Sequence, residues 1–308
     1  MSKAQVIGEK AITIARNLGL EEQLAYSLTD THTYSMDGKA GRAREVSLEA
    51  VELWKKLNNQ PMLADSLGGL VAIHVFSGDF DAAYRFSDEA YEISRRIENI
   101  WGQSYSRYAI GFVDMERGDI DLAVQHFSQS LADAKQSNFF AGIILTQTFL
   151  SFLYSDLGHY QLAIDVVDSV FDDQPAADSA LAKSFFSGAK LLSRVRAGKL
   201  EEAEKMISQE NFAIDQMNFF AKQYAQLALC YLPFMKGDYE SAIKVTGDFL
   251  EQLKSSGVEY LTPELLLLIA KSQIARGYWD EAEKTLKIAR SKVEKLGSRR
   301  SQWQVDYL

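Results

Sequence analysis

The sequence predicts an all-α chain, an α-α superhelix of seven helical hairpins with a half-unit at either end. Three observations carry that expectation. Glycines stand at Gly38, Gly78, Gly118, Gly158, Gly198, Gly237 and Gly277, at intervals of 40, 40, 40, 40, 39 and 40 residues. Five residues after each comes an alanine: Ala43, Ala83, Ala123, Ala163, Ala203, Ala242 and Ala282. Two residues after each comes an apolar side chain: Ala40, Phe80, Ile120, Tyr160, Leu200, Tyr239 and Trp279. A fixed period of this length marks a repeat array, and no strand-like alternation of apolar and polar residues interrupts it.

Taken in chain order, residues 4–18 read as the second helix of a hairpin whose first helix is lacking. Each of the seven units then places a helix A before its glycine and a helix B after it. The glycine takes the left-handed conformation that ends helix A, which is cheap only without a Cβ. Acids three residues later, at Asp81, Asp121, Glu201, Glu240 and Asp280, open helix B where the helix dipole favours negative charge. The alanine lets helix B lie close to helix A. Seven residues before the glycine the side chain is mostly small (Thr31, Val71, Gly111, Ser151, Cys230, Ala270), with Leu191 the exception. These two positions form the interlock between the paired helices.

Unit 1 fits least well, with Lys39 and Gly41 around its turn. Pro61 and Pro263 open helices, with Thr262 read as an N-cap, and Pro175 falls in the loop between units 4 and 5. Pro233 falls inside a helix A, where it removes a backbone hydrogen bond to Leu229 and is expected to kink the helix. Residues 298–308 read as the opening of a helix A with no partner. The whole of 1–308 is expected to be a single repeat domain. Beginning and stopping in mid-unit, it reads as a piece of a longer protein, since a repeat array needs polar caps.

The motifs Gly-Asp-Phe-Asp-Ala-Ala at 78–83, Gly-Asp-Ile-Asp-Leu-Ala at 118–123 and Gly-Asp-Tyr-Glu-Ser-Ala at 237–242 resemble the glycine-turn-alanine core of tetratricopeptide repeats. The resemblance covers essentially the whole chain, with units about six residues longer than the usual 34. Units of this length are similar to the arrays attached to bacterial signal-transduction ATPases, nucleotide cyclases and ATP-dependent transcription activators. The resemblance implies a bacterial, cytoplasmic regulatory module that binds partners on the concave wall formed by its A helices.

Composition narrows the function. A net charge of −9 argues against nucleic acid, whose binding rests on Lys and Arg neutralising phosphates, and against anionic membranes. The chain has one cysteine, Cys230, and so no internal disulfide; its place at the small-residue position accounts for it by packing. No phosphate loop or dinucleotide-binding glycine motif is present. The four histidines, His32, His74, His126 and His159, fall at unrelated repeat positions without a second His or Cys at ligand spacing, so no metal site is expected. With no nucleophile–base constellation either, the sequence implies neither an enzyme nor a cofactor.

What remains is surface. On helix A, the positions 13, 10, 6 and 3 residues before the glycine share one face. In units 3 to 6 that stripe carries Tyr105, Tyr108, Phe112 and Met115, then Phe152, then Phe185, then Tyr224, Tyr231 and Phe234. Units 1, 2 and 7 lack such rings. The position two before the glycine adds Glu116, Asp156 and Arg196 as a polar rim. These twelve residues are the candidate binding surface for a protein or peptide partner, or for adjoining domains. Two readings of the rings stay open at this stage: a groove lined by aromatics, or aromatics packed on one another as core. The alternative function is a sensor that encloses a small molecule and controls an adjoining effector domain.

Overall fold

Left-handed residues punctuate the chain at a regular interval in the computed structural model, which describes residues 3–35, 40–169, 180–208 and 219–308 together with Ile214 and Met217. Among them every regular element is helical. The elements are α1 (Lys3–Asn17), α2 (Glu21–Ser35), α3 (Ala40–Lys56), α4 (Gln60–Ser77), α5 (Phe80–Arg96), α6 (Ile100–Arg117), α7 (Ile120–Gln136), α8 (Phe140–Asp156), α9 (Tyr160–Asp168), α10 (Ala180–Arg196), α11 (Leu200–Ile207), α12 (Phe219–Met235), α13 (Tyr239–Ser256), α14 (Thr262–Arg276), α15 (Trp279–Leu296) and α16 (Arg299–Tyr307).

Gly78, Gly118, Gly158, Gly198, Gly237 and Gly277 all have φ between 74° and 80°. Gly38 and Pro175 lie outside the described residues. The amide after the glycine reaches back into the last turn to close the helix: Asp79 N to His74 O at 2.9 Å, His159 N to Tyr154 O at 2.8 Å, Tyr278 N to Gln273 O at 2.9 Å. This closure satisfies carbonyls that a helix end leaves unpaired. A second series of left-handed residues ends the B helices: Gly19, Asn58, Glu98, Asn138, Gly257 and Gly297. The same closure recurs there, as in Asn99 N to Ser94 O at 2.8 Å and Phe139 N to Ala134 O at 2.8 Å. Side chains then start the next helices. Asn59, Asp79, Asn99 and Asp238 accept hydrogen bonds from Met62, Ala82, Gly102 and Ser241 amides at 3.1–3.2 Å.

The register alanines behave as the spacing requires. All seven, from Ala43 to Ala282, are at most 2% exposed. The small position on helix A faces them or their neighbours. Ser151 Oγ donates to the carbonyl of Ala163 at 2.8 Å, and a Cβ on Gly111 would come within 2.9 Å of the Phe127 ring. Thr262 is a correction: the cap of α14 is Leu261, whose carbonyl accepts from Leu265 N at 3.1 Å, and Thr262 is the first helical residue. The ladder begins one residue early because Pro263, with no N–H, costs nothing in the first turn. Helix α12 continues through Pro233 to Met235, and the Pro233 carbonyl accepts from Asp238 N at 2.9 Å.

By contacts the chain divides into two compact units. The first comprises Met1–Asp114, Asp121–Phe139 and Lys254–Tyr260; the second comprises Met115–Ile120, Phe140–Leu253 and Leu261–Leu308. The first unit is built on an apolar core that includes Ile12, Leu28, Val46, Trp54, Leu67, Leu70 and Ile93. Trp54 is fully buried, and its indole N–H donates to Thr29 Oγ1 at 3.0 Å. In the second unit, Leu266, Leu267, Ala289, Val293 and Val305 bring α14, α15 and α16 together.

Because Ala163 is fully buried at the closest approach of two helices, Ala163→Leu is expected to cost about 1–3 kcal/mol by overpacking. A urea-unfolding midpoint equal to that of the unsubstituted chain would show that this register does not set the helix spacing.

Candidate ligand site in the second unit

The repeat brings side chains forty residues apart onto neighbouring helices, and at the position two before the glycine it brings one acid, Asp156, against one base, Arg196. Asp156 ends α8 and Arg196 ends α10, and Arg196 Nη1 meets Asp156 Oδ1 at 2.9 Å. One rung earlier, Glu116 on the last turn of α6 accepts from Arg300 Nε and Ser298 Oγ, both at 2.8 Å. Arg300, on α16, also reaches Asp156 Oδ2 at 3.0 Å and Glu264 Oε2 at 3.4 Å. Glu264, from the first turn of α14, pairs in addition with Arg196 and accepts from the Tyr231 hydroxyl at 3.1 Å. The Arg196 guanidinium lies 5.0 Å from the centre of the Tyr231 ring, within cation–π range.

Such a cluster survives burial only because it is mutually satisfied. Burial opposes the ionisation of Glu264, and Arg196 and Arg300 more than offset it, holding its carboxyl below the usual range. Glu116 has the same guanidinium beside it, yet its burial weighs more and pushes its carboxyl up. Burial and the Glu264 charge push the Tyr231 phenol well above its ordinary value. Burial likewise lowers Lys271, against the attraction of Glu264.

Beside this cluster lies a cavity of about 300 Å³. Its walls come from α8 (Ser155, Asp156), α10 (Arg196), α12 (Tyr231, Phe234, Met235), α14 (Glu264, Leu267, Lys271) and α16 (Arg300, Ser301, Trp303, Gln304), with Tyr160 at the start of α9. Such a volume is at the small end of ligand pockets. Its lining mixes apolar surface with paired charges. Among the described residues no group of His, Cys, Asp and Glu is placed to hold a metal ion.

Of the twelve residues that the repeat pattern singles out, four line this cavity: Asp156, Arg196, Tyr231 and Phe234. Glu116 joins them through Arg300. Met115, Phe152 and Tyr224 are buried within the same unit, with Phe152 and Tyr224 rings 4.1 Å apart. Tyr105, Tyr108 and Phe112 belong to the first unit. Tyr105 stacks on Trp101 at 5.5 Å and meets Tyr108 at 5.3 Å; a Cβ on Gly68 would collide with its ring. Phe112 is 2% exposed, between Phe80 and Tyr260. The Phe185 side chain lies outside the described residues. Glu264, Leu267 and Lys271 occupy three of the same stripe positions in unit 7, but the aromatic pattern does not reveal them because none carries a ring. Arg300 and Trp303 sit in the closing half-unit, where no glycine supplies a register.

No protein-family model matches the chain, and no curated protein matches it. Solved structures do. A Rap protein complexed with competence and sporulation factor is 16% identical, with a TM-score of 0.67 over 90% of this chain and 76% of that one. The Rap conjugation gene regulator of plasmid pLS20, in complex with the Phr* peptide, is 14% identical, with a TM-score of 0.70 over 89% and 74%. The apo form of RapI is 13% identical, with a TM-score of 0.61 over 88% and 99%. At these identities the likeness establishes fold. The chain is an all-α, tetratricopeptide-like repeat protein. Among the described residues no helix is long and apolar enough to cross a membrane.

The electrostatics and burial of this unit set two expected outcomes. The ionised Glu264 contributes stability above its unfolded pKa near 4.5, and that contribution is lost as pH falls through its lower folded value. Glu264→Gln, which leaves Arg196 and Arg300 short of an acid, is therefore expected to cost about 3–5 kcal/mol at pH 7. The deficit should shrink as pH falls below the ordinary carboxylate range, where the parent loses the same charge. Denaturant midpoints across this range check both parts, and a pH-independent gap would contradict the assignment. Cys230 is fully buried, and burial raises its thiol to about 12. It should resist a thiol-titrating disulfide reagent at about pH 8 and react only on addition of denaturant.

Proposed function

We propose that this chain is a non-catalytic regulatory module that binds a peptide or protein segment through the stripe of its A helices, with the cavity of the second unit as the seat. The observation that carries the reading is the convergence of Tyr231, Phe234 and Leu267 with Arg196 and Lys271 around one cavity. Rings and apolar walls provide contact area, and a few fixed charges provide orientation. The site's arginines are bound in ion pairs with carboxylates and its tyrosine hydroxyl is bonded to Glu264. Burial and the Glu264 charge hold the Tyr231 phenol well above its ordinary pKa, which makes it a poor nucleophile and supports binding over catalysis. The Rap neighbours solved with competence and sporulation factor and with the Phr* peptide give the fold a precedent for peptide ligands. The same reading places the protein in bacterial signalling and in the cytoplasm.

Trp303 on the cavity wall is 61% exposed and provides an internal fluorophore. Peptide pools that bind should shift its emission and raise the melting temperature. Phe234→Ala is expected to weaken that binding by about 30-fold, the equivalent of a 2 kcal/mol hot spot. Lys287→Ala, a highly exposed position on α15, should leave binding unchanged. Equal affinity in the parent and Phe234→Ala chains would place the peptide elsewhere.

A further inference from the structure

Two polar groups in the cavity wall lack what their burial calls for. Ser155 is buried, and its Oγ has no hydrogen-bond partner among the described residues. Lys271 donates from Nζ to Gln304 Oε1 at 2.8 Å, and no carboxylate of the described residues forms an ion pair with it. An ammonium carries three donors, so two remain for another acceptor. The acids nearby are otherwise engaged: Asp156 by Arg196 and Arg300, Glu264 by both arginines and Tyr231, Glu116 by Arg300 and Ser298. Three carboxylates stand against two guanidiniums, so Lys271 supplies the balancing positive charge from the wall, in direct contact with none of the acids. A part-buried ammonium with one side-chain acceptor has donors to spare, and a buried hydroxyl without a partner is uncommon in folded proteins.

The rest of the lining is of a different kind. Leu267, Phe234, Met235 and Trp303 bring apolar surface to the same cavity. We infer that the cavity is a carboxylate site: it takes an acid with a short apolar or aromatic body, the carboxylate on Lys271, the body against Trp303 and Leu267. This deepens the proposed function and rests on the cavity being the binding seat. A volume of about 300 Å³ suits one or two amino-acid residues or a small organic acid. The carboxylate can come from the terminus of a peptide or from a free organic acid, and the two sources share the same chemistry. Binding should also favour the charged lysine, which burial disfavours in the empty cavity.

The test uses the full chain and matched pairs of probes: 3-phenylpropanoate against its primary amide, and the peptide Gly-Gly-Leu-Phe with a free against an amidated C-terminus. Melting temperature and the part of the tryptophan emission change that is absent from a Trp303→Phe chain are the readouts. At least one free acid is expected to bind about tenfold or more tightly than its amide, the increment typical of a hydrogen bond to a charged group. Lys271→Met should abolish the difference between acid and amide, and Lys271→Arg should keep most of it. Phe234→Ala should weaken acid and amide together, leaving their ratio intact. Preference confined to the peptide pair identifies a chain terminus as the source; preference confined to phenylpropanoate identifies a small acid. If acid and amide bind equally, with both weakened in Phe234→Ala, the carboxylate assignment is overturned while the cavity stands as the seat. If discrimination survives in Lys271→Met, the assignment fails as well. If no probe of either kind binds, both the assignment and the seat are overturned.

Discussion

A backbone constraint governs this molecule more than any side chain does. Each helix must stop and turn back within two or three residues, and the chain does so by placing one residue in the left-handed region and closing the helix with a hydrogen bond from the next amide. Glycine meets that requirement at no steric cost; Asn58, Glu98 and Asn138 meet it with some strain. Interleaving the two series gives a turn every twenty residues, at Gly78, Glu98, Gly118, Asn138 and Gly158. Because the turns recur so evenly, full-length A and B helices come out at 15 to 18 residues. Equal helices keep the same offset facing the same neighbour, unit after unit.

The ion cluster depends on that regularity. Glu116, Asp156 and Arg196 share one repeat position, so the fold delivers them to adjacent helix ends. Their charges alternate poorly: acid, acid, base. Arg300 supplies the missing cation from α16, and Glu264 completes the set from α14. Buried arrangements of this kind contribute little net stability compared with apolar packing, but they are intolerant of losing one member. Their value here lies in geometry. They fix the ends of α8, α10, α14 and α16 around one cavity while leaving Lys271 outside the pairing.

How much of this is legible in the sequence depends on whether a position repeats by residue type. The glycine turns, the alanines and the small position opposite them do, and they define the helical hairpins directly. The second series of turns does not, because glycine, asparagine and glutamate all serve there, so no single letter recurs. Pro263 makes Thr262 look like a cap when the helix in fact begins at the Leu261 carbonyl. At the site, Asp156, Arg196, Tyr231 and Phe234 are visible because rings and charges stand out on the stripe. Glu264, Leu267 and Lys271 share its offsets without sharing its chemistry, being an acid, an aliphatic and a base. Tyr105, Tyr108 and Phe112 carry the same helical spacing as an open groove does. Only the rings packed against Phe112, from Phe80 and Tyr260, reveal that it is enclosed, while Tyr105 stays partly exposed on Trp101.

The even spacing of turns has an evolutionary consequence. A duplication or loss of forty residues would leave the remaining helix ends, alanine contacts and closing hydrogen bonds in register, so such events are nearly silent for the hairpin backbone. They are not silent for recognition. Removing one unit between Glu116 and Arg300 would slide the guanidinium one rung along its ladder of acids and present a different stripe beside Lys271. In a chain built this way, ligand preference can be rewritten by recombination between units long before any single position has to mutate, at the cost of whichever cluster member the lost unit carried.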